Sequence, residues 1–166
     1  MTSGSGTTAQ DRRRFQMMSC LGAGGFGEVY LANMTSAGGV KTDVAVKVLH
    51  RGLDPRSQAI QRLRDEAHLL GLLNHPVILK IHDLVLLEGR AALVTEYVEG
   101  ADLDVCVMDP EHSLPFGAVL EVFSRICDAL NTAFTHVRPD GKSLHPLHPD
   151  LKPSNHRLGN PGAVGR

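Results

Sequence analysis

The sequence predicts an α+β chain, an antiparallel sheet crossed by one helix with further helices beginning after it. Three observations carry that expectation. A glycine-rich stretch, LGAGGFGEVYLA from Leu21 to Ala32, runs straight into strand-like alternation. The segment Val44-Ala45-Val46-Lys47-Val48 alternates in the same way and sets Ala45 and Lys47 on one face. Between residues 57 and 73, Ile60, Leu63, Ala67, Leu70 and Leu73 recur with the period of a helix that buries one stripe.

In order along the chain, residues 1–14 are small, polar and then basic, and read as a flexible lead-in. Strands are expected near 15–21, 28–34 and 43–49. Gly52-Leu53-Asp54-Pro55 breaks the pattern before the helix at 57–73, and Asn74-His75-Pro76 stops that helix. Two more strands, near 79–86 and 91–97, flank the turn Glu88-Gly89-Arg90. A short helix at 101–108 and a loop at 109–112 lead to a longer helix at 116–136. Its apolar face takes in Val119, Leu120, Phe123, Ile126, Cys127, Leu130 and Phe134. A face that wide belongs inside a helical lobe larger than these residues supply.

The 166 residues suffice for one ordinary domain, and 42% hydrophobic against 21% charged residues is a globular balance. A formal net charge of −1 gives no electrostatic case for nucleic acid or an anionic membrane as partner. No apolar run reaches membrane-spanning length, and MTSGSGTTAQDRRR has no apolar core to act as a signal peptide. Cys20, Cys106 and Cys127 lack C-x-x-C spacing and read as buried or half-buried free thiols. The expected location is cytoplasmic.

The chemistry starts at the glycines. Gly22, Gly24 and Gly27 stand in the spacing G-x-G-x-x-G, with Ala23, Gly25 and Phe26 between them. Such a loop either opens a helix in a dinucleotide-binding turn or forms the tip of a hairpin over phosphates. Val29 and Leu31 continue as a strand, with no helical stripe, which favours the hairpin. Backbone N–H groups must come close to phosphate oxygens there, and side chains would block the approach. Lys47, facing the same way as small Ala45, is placed to reach those oxygens. Glu66 lies three residues after Leu63 and four before Leu70, on or beside the buried stripe. It is either a surface glutamate next to the stripe or a partner for Lys47. A buried carboxylate without a cation would cost about 3–5 kcal/mol.

LGAGGFGEVYLA together with Val-Ala-Val-Lys resembles the protein kinase family, whose third strand carries V-A-I-K. The resemblance runs from about Phe15 onward, and it implies the two-lobe kinase architecture. An N-lobe of about 15–98 is then complete, with an antiparallel sheet plus one helix, and a C-lobe is begun at about 99–166. It implies ATP and Mg²⁺ as cofactors and a Lys47–Glu66 ion pair that holds the lysine in place. The stretch Val94-Thr95-Glu96-Tyr97-Val98 looks like a kinase hinge. Backbone groups from Glu96 to Val98 would meet the adenine edge, Thr95 would stand at the back of the pocket, and Leu21 and Val29 would cover the base.

Further on, His148, Asp150 and Asn155 match H-R-D-x-x-x-x-N at the right spacing, with Lys152 two residues after the aspartate. By the resemblance Asp150 accepts the substrate hydroxyl's proton, Lys152 neutralises the moving phosphate and Asn155 holds Mg²⁺. D-L-K-P-x-N is similar to the serine/threonine form, so the implied partners are ATP and protein Ser/Thr hydroxyls. Pro149 replaces the arginine of H-R-D, which removes the group that pairs with a phosphorylated activation loop in many kinases. The nearby histidines match no usual zinc spacing. Neither D-F-G nor A-P-E occurs in the 166 residues. The chain is therefore expected to be the front of a bacterial-style serine/threonine kinase, inactive alone. The alternatives are a nucleotide-binding pseudokinase module, an inactive remnant or, last, a dinucleotide-binding enzyme.

Overall fold

The computed structural model describes residues 13–25, 27–51, 58–109, 114–136 and 151–159, with residues 59 and 66 described by their backbone alone. Five strands, β1 (Arg14–Gly24), β2 (Gly27–Thr35), β3 (Lys41–Leu49), β4 (Ile81–Leu87) and β5 (Arg90–Glu96), form one antiparallel sheet in the order β1-β2-β3-β5-β4. The helix α1 (Gln58–Leu72) crosses it. The expected strands and the crossing helix all form, within two or three residues of the sequence-based bounds.

Alternation divides the core by face. Val44, Val46 and Val48 of β3 lie with Ala32, Ala92 and Val94, and all six are buried. Phe15 from β1 and Val85 and Leu87 from β4 pack on the same cluster. Strands β1 and β4 are the two edges, so both reach one cluster only because the sheet curls, as twisted sheets do. The Arg13 guanidinium donates to the Asp83 carboxylate at 2.7 Å and ties the two edges together. The opposite face of β3 presents Ala45, Lys47 and Leu49. There Leu49 and Leu93 pack on Ile60 and Leu63 of α1, with Ala67 and Ile81 at the margin. Of the stripe read from the sequence, Ile60 and Leu63 are buried, and Ala67, Leu70 and Leu73 are half-buried.

Past β5 the chain departs from the expected helix at 101–108. Gly100–Asp102 is a short strand, β6, and only Leu103–Met108 is helical, as α2. β6 pairs antiparallel with β7 (Arg157–Gly159) from the far end of the described chain. The cause is Gly100, whose φ of 155° suits glycine and whose missing Cβ would collide with the Leu158 carbonyl. The long helix α3 spans Phe116–Thr135, one residue short of expectation. Ala129 and Ala133 are its buried residues, while Phe116 is 77% and Phe123 67% exposed. Most of the wide apolar face thus lies open. His75, at the end of α1, holds Asp128 of α3 at 3.1 Å. Two cysteines correct the sequence reading. Cys20 lies on an edge strand and Cys127 on the helix, and both are exposed; Cys106 is half-buried.

Candidate functional site

Register decides which of the candidate side chains meet. Val29 pairs with Lys47 across β2 and β3, and Lys47 pairs with Leu93 of β5. One step along, Leu31 pairs with Ala45 and Ala45 with Thr95. Residues directly opposite share a face. Val29, Ala45, Lys47 and Thr95 therefore stand in two adjacent rows on the face that α1 also covers. Ala45 is the small member, half-buried between Leu31 on one side and Thr95 on the other. Thr95 is only 7% exposed, and its hydroxyl donates to the Glu96 carbonyl at 3.1 Å.

The glycine loop lies at the end of this face. Leu21, Gly22, Ala23 and Gly24 finish β1, Gly25 lies in the turn and Gly27 starts β2. Phe26 lies outside the described residues. The glycines serve two purposes. A Cβ on Gly27 would collide with the Val48 carbonyl, so glycine there lets β2 lie close on β3. A Cβ on Gly22, Gly24 or Gly25 would meet nothing within 4 Å. Packing among the described residues does not ask for glycine at those three positions, whereas close approach of a ligand to the backbone would. His50, after β3, bonds through Nε2 to the Gly24 carbonyl at 3.0 Å and steadies the loop.

A polar cluster missed in the sequence stands behind the loop. The Tyr30 hydroxyl donates to Glu28 at 2.9 Å, and Arg90 reaches the same carboxylate oxygen at 3.5 Å while donating to the Leu49 carbonyl at 2.7 Å. The Tyr30 hydrogen bond, with Arg90 assisting, holds the Glu28 carboxyl below its ordinary range, and the same bond raises the Tyr30 hydroxyl. A carboxyl lowered in the folded state adds stability above its unfolded value and loses it as pH falls through the folded one. Tyr30→Phe is therefore expected to flatten the fall in melting temperature between about pH 5 and pH 3. Equal slopes for variant and parent would contradict this role.

Residues 97–99 join β5 to β6 outside both ladders. The Glu96 N–H donates to the Lys80 carbonyl at 2.9 Å, and its carboxylate accepts from the Lys80 N–H at 2.8 Å. These bonds fix the start of the linker. Below it, Lys152 precedes a single 3-10 turn, Pro153–Asn155, and β7 follows. The Leu103 N–H donates to the His156 carbonyl at 2.8 Å, which docks this segment on α2. Lys152 and Asn155 are thus carried to the linker by β6 and β7. Asp150 lies outside the described residues, and so does the side chain of Glu66, whose backbone sits in α1 one turn beyond Leu63. Arg157 was not singled out in the sequence, yet it holds the Val98 carbonyl at 2.6 Å. A charged residue in a short strand was the only hint.

Asn155 offers an amide oxygen of the hard type that Mg²⁺ takes. Among the described residues no group of three His, Cys, Asp or Glu side chains gathers for a metal, and no helix is long and apolar enough to cross a membrane.

Pkn1 of Myxococcus xanthus, a serine/threonine-protein kinase, is 39% identical over 141 residues, 85% of this chain and 18% of Pkn1. MasK of the same species, a tyrosine-protein kinase, is 31% identical over 147 residues, covering 87% of this chain and 23% of MasK. A crystal structure of the Mycobacterium tuberculosis PknI kinase domain superposes with a TM-score of 0.66 at 28% identity, over 89% of this chain and 56% of that one. The chain spans about a fifth of the length of these two relatives. Residues 15–134 match the family model for protein tyrosine and serine/threonine kinases, and the chain belongs to that family.

Proposed function

We propose that these residues form the nucleotide-binding front of a serine/threonine protein kinase that moves the ATP γ-phosphate to protein hydroxyls. One observation carries the reading. Lys47 and Ala45 share a face with Val29 and Thr95, beside a glycine loop with open space at Gly22, Gly24 and Gly25. The base would lie on Ala45 with its edge against Glu96 to Val98, Leu21 and Val29 above it and Thr95 behind. Lys47 would hold phosphate oxygens, oriented by Glu66, and the loop N–H groups would hold the rest. Asp150 would take the hydroxyl proton, a contribution of about 10²–10⁴ in rate, and Lys152 would offset charge on the phosphoryl group. Asn155 would hold Mg²⁺, which when bound neutralises phosphate charge. The D-L-K-P-x-N form and the likeness to Pkn1, a serine/threonine-protein kinase, support hydroxyls of serine and threonine as acceptors, and a cytoplasmic location belongs to the same proposal.

A polypeptide of these 166 residues contains no D-F-G and so lacks the aspartate that holds metal beside the asparagine in the family. It is expected to bind ATP and to transfer no phosphate to itself or to a general protein substrate. The test is a radiolabelled Mg-ATP assay on the parent and Asp150→Asn. Phosphorylation that disappears in the variant would overturn this expectation. The open apolar face of α3 favours a second reading, an inactive remnant. Dye binding to that face without any ATP effect would favour it.

A further inference from the structure

Arg157 makes three contacts with one short stretch of chain. Its guanidinium donates through Nε to the Val98 carbonyl at 2.6 Å and through Nη2 to the Gly100 carbonyl at 2.7 Å. Through Nη1 it donates to the Asp102 carboxylate at 2.8 Å. A planar fork held at three points has one orientation, and its bonds to these acceptors are charge-assisted. The side chain is 34% exposed, so it lies at the edge of the linker rather than beneath the fold.

The consequence is chemical. In the nucleotide reading, the linker from Glu96 to Val98 would offer a base acceptor, donor and acceptor in succession: the Glu96 carbonyl, the Val98 N–H and the Val98 carbonyl. A purine with amino groups at both C6 and C2 presents donor, acceptor and donor, and matches all three. Adenine presents only the first two. In this chain the third acceptor is taken by Arg157. A carbonyl has a second lone pair, but a ligand N–H using it would approach alongside a fixed cation. The Glu96 carbonyl differs, since its partner is the neutral Thr95 hydroxyl, which has the Ala45 carbonyl at 3.5 Å as a second acceptor to turn to.

We propose that Arg157 is a specificity-determining residue of the nucleotide site, closing the Val98 carbonyl so that the linker accepts adenine and rejects purines bearing a 2-amino group. The inference rests on the nucleotide reading above. An amino group brought against a closed acceptor loses water without gaining a partner, which disfavours it by about tenfold.

The test compares ATP with 2,6-diaminopurine riboside triphosphate by isothermal titration of the full chain, its Arg157→Leu variant and Arg157→Lys. The parent is expected to bind ATP about ten times more tightly, with the ratio falling to one or below in Arg157→Leu, where the opened carbonyl accepts the 2-amino group. Arg157→Lys keeps a cation but has no planar fork, and an intermediate ratio is expected. Circular dichroism establishes that each variant folds; if Arg157→Leu does not, the lysine variant decides. A ratio of one in the parent, or a ratio unchanged by substitution, would overturn the inference while leaving the ATP site intact. Failure of the parent to bind either nucleotide would overturn the nucleotide reading, and the inference with it.

Discussion

Lys47→Met is expected to abolish the thermal stabilisation that ATP gives the chain. Lys47 lies opposite Val29 and Leu93, two residues from buried Leu49, so its stem is packed among apolar neighbours. Methionine is unbranched and of similar length, and it keeps that packing while removing the charge. A ligand at about a hundred times its dissociation constant adds about 2.7 kcal/mol to folding, which for a chain of this size raises the melting temperature by about 5–10 °C. Without the ammonium, the phosphates face the sheet with no cation from β3, and most of that shift should vanish. A differential scanning measurement with and without ATP reads this directly. An undiminished shift in the variant would mean that nucleotide, if bound, is not held at this face.

The second large effect is expected at Gly100. Its backbone conformation disfavours any residue with a Cβ, and the added carbon would strike the Leu158 carbonyl across the β6–β7 pair. Gly100→Ala should cost about 2–4 kcal/mol, combining backbone strain with overpacking against a main chain that has no rotamer to change. The loss should be local. β6 and β7 form a ladder separate from the five-stranded sheet, and Gly100 pairs within it, so with β7 go the docking of His156 on Leu103 and the three bonds of Arg157. Hydrogen exchange is expected to accelerate at residues 100–103 and 157–159 while β3 and β5 stay protected. Parent-like protection at 157–159 would contradict the role given to this glycine.

The sheet and α1 were legible because each rests on short-range periodicity. The alternation around Lys47 places that side chain on the α1 face, and the stripe Ile60, Leu63, Ala67 fixes which side of the helix turns inward. The placement of Ala45, Lys47 and Thr95 in facing rows follows from the same alternation once the strand order is known. Three features were not legible. β6 spans only Gly100–Asp102, too short for a period, and its partner lies more than fifty residues away. Arg157 acts through carbonyls of that distant stretch, which no local pattern encodes. The Glu28, Tyr30 and Arg90 cluster likewise joins a residue of β5 to two of β2 through side chains alone. Sequence also overestimated the burial of Cys20 and Cys127, because an edge strand and an uncovered helix face do not protect a thiol.

The direct test of the account is a calorimetric titration of the chain with ATP and, separately, with NAD. Saturable ATP binding that is lost in Lys47→Met, with no heat from NAD, is the expected result. Binding of NAD in place of ATP, or no heat from either, would contradict the assignment of the Gly22–Lys47 face as a site for ATP.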